Sequence, residues 1–421
     1  MRVLFSVFPA TAHVHPIVPL AWALQNAGHE VRVAIHPDAT DLVTEAGLAA
    51  VPAGGCLENV MEWNDNFEKL ESLTDFMSLD TEHDDTWAEQ WRGSTGMLSL
   101  FTPMLDDLVD FCERWRPDLV LWDPFCVAAA VAAKVTGARH ARFLWGQDNI
   151  GWLRAKSRAA LAERGAGAEK DPVTALMSPM LEAHGLDFTE DLLLGEWTID
   201  PMPAALRLPL DVSYEPIRRV PYNGNLAPEP WMHDRPERPR VLLTLGVGGR
   251  GRQLFREAGV TFVEVVAALS ELDIEVIATL HAKHLDTVRK VPDNVRLVEY
   301  VPLNYVLPTC TALIHHGGGG TFAAAVAHRV PQLISPMPMW GEAITARYMA
   351  ERGAGLLLDP KELTAQTLQK HLTRVLTEPS FSEGADLLHQ EMLAAPGPHD
   401  MVRRLESLVA PRRVQRRAVT L

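Results

Sequence analysis

Cysteine is scarce in this chain, and a long apolar run is missing altogether. The four cysteines among 421 residues, Cys56, Cys112, Cys126 and Cys310, are scattered, without the close pairs of a metal knuckle or the density of a disulfide framework. They read as reduced core thiols, and no metal site is expected. No 18-residue apolar stretch offers a membrane span. The opening MRVLFSVF is apolar but short, and Pro9 and two histidines follow where a leader would carry small residues, so it reads as a first strand. Positive charge is also in deficit. Lys and Arg number 39 against 54 Asp and Glu, a formal net charge of −15 that argues against nucleic acid or an anionic membrane as partner. The basic tail with Arg412, Arg413, Arg416 and Arg417 reads as a solvated end. A cytoplasmic protein is expected, and any phosphate in its ligand must be held by donors gathered locally.

What is present is a repeated strand-and-helix rhythm. The length exceeds what one hydrophobic core supports, so two domains of roughly 200 residues are expected. An apolar run at 2–7, a polar loop, a helix-like stretch from Pro16 to Leu24 and Gly28 are followed by the alternating Glu30–Ile35 and a second helical stretch, Asp38–Ala46. Two such units in under fifty residues predict a parallel, doubly wound sheet. Residues 58–116 lack strand signals and mix charges with Trp63, Phe67, Phe76, Trp87, Trp91 and Phe101, which reads as a helical and loop insertion. The rhythm returns at Asp118–Asp123 and Ala141–Trp145, breaks into prolines between about 211 and 238, and restarts at Arg240. The expected layout is an N-terminal Rossmann-like domain at 1–215, a linker at 216–238, a second Rossmann-like domain at 239–400, and a C-terminal helix and tail at 401–421.

The sharpest local signal is the strand Leu313-Ile314 running into His315-His316 and four glycines, with Thr321 opening an alanine-rich helix. Glycines admit an anion to the backbone, and the N–H groups of Gly319, Gly320 and Thr321 at a helix N-terminus favour negative charge. The loop after the strand at Arg240 carries Gly246, Gly248 and Gly249 but lacks a full dinucleotide fingerprint. It fits contact with a diphosphate or with the facing domain better than NAD. In the first domain His13 and His15 sit in the loop after the first strand, and Asp123 ends a later strand on the same carboxyl edge. His13 with Asp123 can form a general-base dyad. Spacing alone leaves an alternative open, in which the histidine caps a helix and the aspartate satisfies backbone donors.

Taken together these segments resemble the glycosyltransferases of GT-B fold, and among them the bacterial enzymes that attach deoxysugars to macrolides and aromatic polyketides. The resemblance runs over nearly the whole chain. It is carried by MRVLF, VPLAWALQNAGHEVRVAIH, Trp115–Val120, Ala141–Gly146, Trp197–Asp200, Pro221-Tyr222-Asn223-Gly224, Thr244-Leu245-Gly246, Pro302 with Leu307-Pro308, and HHGGGGT. It implies that His13 is the catalytic base and Asp123 its relay carboxylate. It further implies that His315, His316, Gly318, Gly319, Gly320 and Thr321, with Gly246, hold the donor pyrophosphate, and that Tyr300-Val301-Pro302 flanks the nucleobase. Trp340 and Glu342 then face the donor sugar, and the substrates are a dTDP-deoxysugar and a hydrophobic aglycone, with no cofactor or metal. Gly341-Glu342 departs from relatives that place an acidic and a second polar residue there, and Gly319 fills a variable slot. A cytochrome-P450-like auxiliary protein is implied as partner, and a homodimer stays open. Two rival readings are a nucleotide-sugar epimerase on the same fold and a non-catalytic member that binds a nucleotide or glycoside.

Overall fold

The computed structural model describes residues 1–55, 91, 95–163, 165, 171–244, 246, 260–280, 291–336 and 341–410. The first sheet is built from β1 (Arg2–Ser6), β2 (Glu30–Ile35), β3 (Ala50–Pro52), β4 (Leu119–Trp122), β5 (Arg139–Phe143), β6 (Thr198–Asp200) and β7 (Tyr214–Pro216). All its pairs are parallel, and the strands lie in the order β3-β2-β1-β4-β5-β6-β7. The second sheet holds β8 (Arg240–Thr244), β9 (Glu275–Thr279), β10 (Val295–Val298), β11 (Ala312–His315), β12 (Gln332–Ile334) and β13 (Gly355–Leu357), parallel again, in the order β10-β9-β8-β11-β12-β13. Both orders reverse direction beside their first strand. Chain leaving the carboxyl ends of β1 and β4, and of β8 and β11, therefore diverges and leaves a crevice.

Burial on both faces explains why β1, β4, β8 and β11 are near-continuous Val, Leu and Ile runs rather than alternating ones. Helices supply the covering layers. The alanine-rich Val127–Thr136 packs seven buried side chains in a row, its small residues allowing close approach to the sheet. Among the described residues no helix is long and apolar enough to cross a membrane.

Three details differ from expectation. The first helix spans Thr11–Asn26 and runs straight through Pro16 and Pro19, so His13 and His15 lie in or beside its first turns and not in a loop. Prolines inside a helix each remove a backbone hydrogen bond, which is why the pattern suggested a later start. Here the buried stripe Val14, Ile17, Val18, Leu20, Ala21 and Leu24 holds the helix against the sheet. Strands β3, β6 and β7 escaped the reading because three-residue strands carry no period; β7 also crosses the expected boundary at 215/216. Finally, the terminal helix begins at Pro398 and packs on the first helix, with Met401, Val402 and Leu405 buried in the N-terminal core.

Candidate active site

The register β1–β4 sets Ser6 against Trp122, and the Asp123 amide donates to the Ser6 carbonyl at 2.9 Å. That bond fixes the aspartate at the switch point. One Asp123 carboxylate oxygen accepts the Phe125 amide at 3.0 Å; the other lies 2.6 Å from Nδ1 of His13. Both side chains are buried, His13 to 9% exposure and Asp123 to 3%. A carboxylate on Nδ1 holds the proton there and leaves Nε2 with its lone pair, the arrangement of an oriented base. The ring sits among aromatics: Phe8 and Trp145 with centroids at 4.6 Å, Phe125 at 6.0 Å. A small hollow opens beside this wall, lined by Phe125, Trp145, Gln147, Asp148 and Ile150 among others. Asp148 is already neutralised, since both guanidinium arms of buried Arg142 and the Tyr214 hydroxyl bond its carboxylate. It is a structural anion, not a candidate base.

The second half stands on β8 and β11, whose register pairs Thr244 with His315. His315 is fully buried, and both ring nitrogens are engaged. The Gly317 amide donates to Nδ1 at 3.1 Å, which puts the proton on Nε2 to donate to Gln332 Oε1 at 2.9 Å. Burial pushes its pKa down to about 4. His315 therefore shapes the glycine loop from beneath.

His316 packs between two glycines. A Cβ at Gly246 would approach its Cε1 to 2.8 Å, and one at Gly318 its Nε2 to 2.8 Å. The glycines at 246 and 318 are thus both required by one imidazole, that of His316. Glu342, 4% exposed, opens the helix Glu342–Glu351, its Oε1 3.9 Å from His316 Nε2. Residue 341 is the cap of that helix at φ +82°, and any Cβ there would overlap the Gln147 carboxamide of the facing domain. Where relatives were expected to carry an acidic residue, this chain has room only for glycine unless Gln147 moves.

The helix Gly319–Ala327 is capped by Gly318, and its first backbone bond runs from the Phe322 amide to the Gly318 carbonyl at 2.9 Å. The amides of Gly319, Gly320 and Thr321 consequently have no acceptor within the helix. Val301 is buried in the core below, and the Tyr300 hydroxyl donates to the Asn223 carbonyl at 2.6 Å. Trp340, and the Gly248, Gly249 and Arg250 part of the other glycine loop, lie outside the described residues.

One residue in this crevice was missed. Arg219, in the segment read as linker, donates from Nη1 to the Trp145 carbonyl at 2.6 Å, and its guanidinium lies against Gly319 and Gly320. Burial lowers its pKa to about 10. The available signal was the pair Arg218-Arg219 just before Pro221-Tyr222-Asn223-Gly224, cations in an acidic chain where a mere spacer needs none. That segment is no loose spacer: the Asn223 side chain accepts the Asn304 amide at 2.8 Å, and the Tyr222 ring meets His15 at 4.8 Å and Trp22 at 5.4 Å.

The two-sheet architecture agrees with comparison to known proteins. Residues 22–246 match the family described as erythromycin biosynthesis protein CIII-like, N-terminal domain, and residues 263–408 its C-terminal domain. The chain is 42% identical over 436 residues to aclacinomycin-T 2-deoxy-L-fucose transferase of Streptomyces galilaeus, covering 99% of this chain and 98% of that protein. It is 40% identical to 10-deoxymethynolide desosaminyltransferase of Streptomyces venezuelae, covering 98% of each. Among solved structures, the glycosyltransferase VinC in complex with dTDP superposes with a TM-score of 0.86 at 36% identity, over 97% of this chain and 99% of that one. With two Rossmann-like sheets, a buried His–Asp pair on one crevice edge and a glycine-opened helix on the other, the chain belongs to the erythromycin biosynthesis protein CIII-like family of GT-B glycosyltransferases.

Proposed function

We propose that this glycosyltransferase moves a deoxysugar from a dTDP-linked donor to a hydroxyl of a polyketide-type aglycone, with inversion at the anomeric carbon, in the biosynthesis of an antibiotic or related metabolite. The observation that carries the reading is the 2.6 Å contact of His13 with Asp123, buried at the switch point of the first sheet. The named relatives and VinC support the substrate classes: two are deoxysugar transferases, and the third is seen with dTDP.

In this reaction Nε2 of His13 takes the proton of the acceptor hydroxyl as its oxygen bonds to the anomeric carbon. The bond from that carbon to the diphosphate breaks on the opposite side, and the electron pair leaves with dTDP. Asp123 holds the imidazole and balances the charge it gains. The Gly319, Gly320 and Thr321 amides and the helix dipole meet the charge that builds on the departing phosphate. His315 holds the loop carrying them. Calorimetric titration tests the donor half: the purified protein should bind dTDP in the micromolar range and UDP more weakly. Folded protein that binds neither nucleotide would overturn the proposal.

A further inference from the structure

Arg219 is out of place electrostatically. Arginine is seldom buried unless paired, because removing a cation from water is costly. Elsewhere in this protein the rule is kept: Arg142 meets Asp148, Arg154 meets Asp171 and Glu190, Arg207 meets Asp200, and Arg240 meets Glu275. Arg219 is less than half exposed, yet among the described residues no carboxylate forms an ion pair with it. Desolvation alone drives its pKa down to about 10, and its charge in turn helps burial hold His15 near 4. Of its five N–H groups, one satisfies the Trp145 carbonyl. The guanidinium lies against the first turn of the helix Gly319–Ala327: the same Nη1 is 3.4 Å from where a Gly319 side chain would begin, and Nη2, which has no protein acceptor among the described residues, is 3.6 Å from that of Gly320. A cation thus adds to the positive end of a helix, where charges of the same sign repel. An uncompensated cation in that position is stable only in so far as an anion completes it.

From this we infer that Arg219 is a donor-binding residue whose guanidinium holds the sugar-linked phosphate of the donor diphosphate against the Gly319–Ala327 helix. The inference rests on the donor reading given above. It assigns the sugar-linked phosphate because Arg219 approaches the helix from the side of Trp145, and Trp145 lines His13. When the bond to the anomeric carbon breaks, the added negative charge falls on this phosphate, next to the guanidinium. The contact also ties the two halves of the crevice: the hydrogen bond to Trp145 reaches the wall of the base, and the phosphate contact reaches the glycine loop.

The test compares dTDP with dTMP, which lacks the outer phosphate, in calorimetric titrations of wild type, Arg219→Gln and Arg219→Lys. Arg219→Gln is expected to weaken dTDP roughly 10- to 100-fold, as loss of a charge-assisted contact does, and to change dTMP far less. Arg219→Lys is expected to lose several-fold in the same preference, because an ammonium cannot span the Trp145 carbonyl and a phosphate oxygen as a planar fork does. A merely structural arginine would weaken both nucleotides alike, and a dTDP-to-dTMP preference unchanged in the variants overturns the inference. Should the glutamine variant fail to fold, the lysine variant decides in the same way. Wild type that binds no dTDP would instead bring down the donor reading itself, and this inference with it.

Discussion

A histidine serves as a base only if one nitrogen keeps its lone pair, and here that condition is set by a single oxygen of Asp123 at 2.6 Å from Nδ1. Removing a general base typically slows a reaction 10²- to 10⁴-fold. His13→Ala should therefore lower turnover within about that range while dTDP binding stays near wild type, since the glycine loop proposed to hold the donor stands on the other sheet. Turnover close to wild type would remove His13 from the mechanism. At this scale the sequence was informative wherever a residue type has few other uses. Paired histidines before four glycines, and a histidine and an aspartate each just past a buried strand, need little context to attract notice. Arg219 did not, because arginines in a proline-rich stretch are ordinarily solvated charges. The lack of a partner cannot be seen in sequence, whereas in three dimensions no carboxylate among the described residues pairs with it.

At the scale of elements, the glycine loop depends on His315 remaining neutral, since Nδ1 must accept from Gly317. Its folded pKa of about 4 lies below the ordinary 6.5, so the unfolded chain binds a proton that the folded one resists. Stability from this group is fully present above about pH 6.5, falls as pH drops toward 4, and levels off below. The gap is on the order of 3 kcal/mol at most for His315, and His15, also held near 4, adds in the same direction. Urea midpoints measured from pH 7.5 down to 4.5 should fall steadily, and less steeply in a His315→Asn variant; identical slopes would assign the acid sensitivity elsewhere. The long buried strands and the alanine-rich helices were legible because apolar runs bounded by glycine leave few alternatives. The start of the first helix was not, since proline's local cost is outweighed by a buried stripe whose partners lie far away in the chain.

For the whole molecule, two domains and their order could be read from the restart of the strand rhythm after the proline-rich stretch, but the return of the chain end could not. The terminal helix Pro398–Val409 follows the second domain in sequence and belongs to the first in packing. Its place is fixed by contacts between residues far apart in the chain. Arg404 forks onto Glu215 at the edge of the first sheet, with nitrogen–oxygen distances of 2.5 and 2.8 Å, and the Arg218 amide donates to the Pro396 carbonyl at 2.7 Å. Leu405 is buried in the same core as the first helix, the helix that carries His13. The end of the chain therefore supports the element that carries His13, the proposed base. Leu405→Ala leaves a cavity there, with an expected loss of about 2–5 kcal/mol, and Arg404→Ala at the exposed fork should cost under about 1 kcal/mol. Chemical denaturation checks both. Leu405→Ala as stable as wild type would mean that the helix merely rests on the N-terminal domain, whereas the expected loss, with turnover falling before dTDP binding does, identifies it as a clasp that holds the base in place.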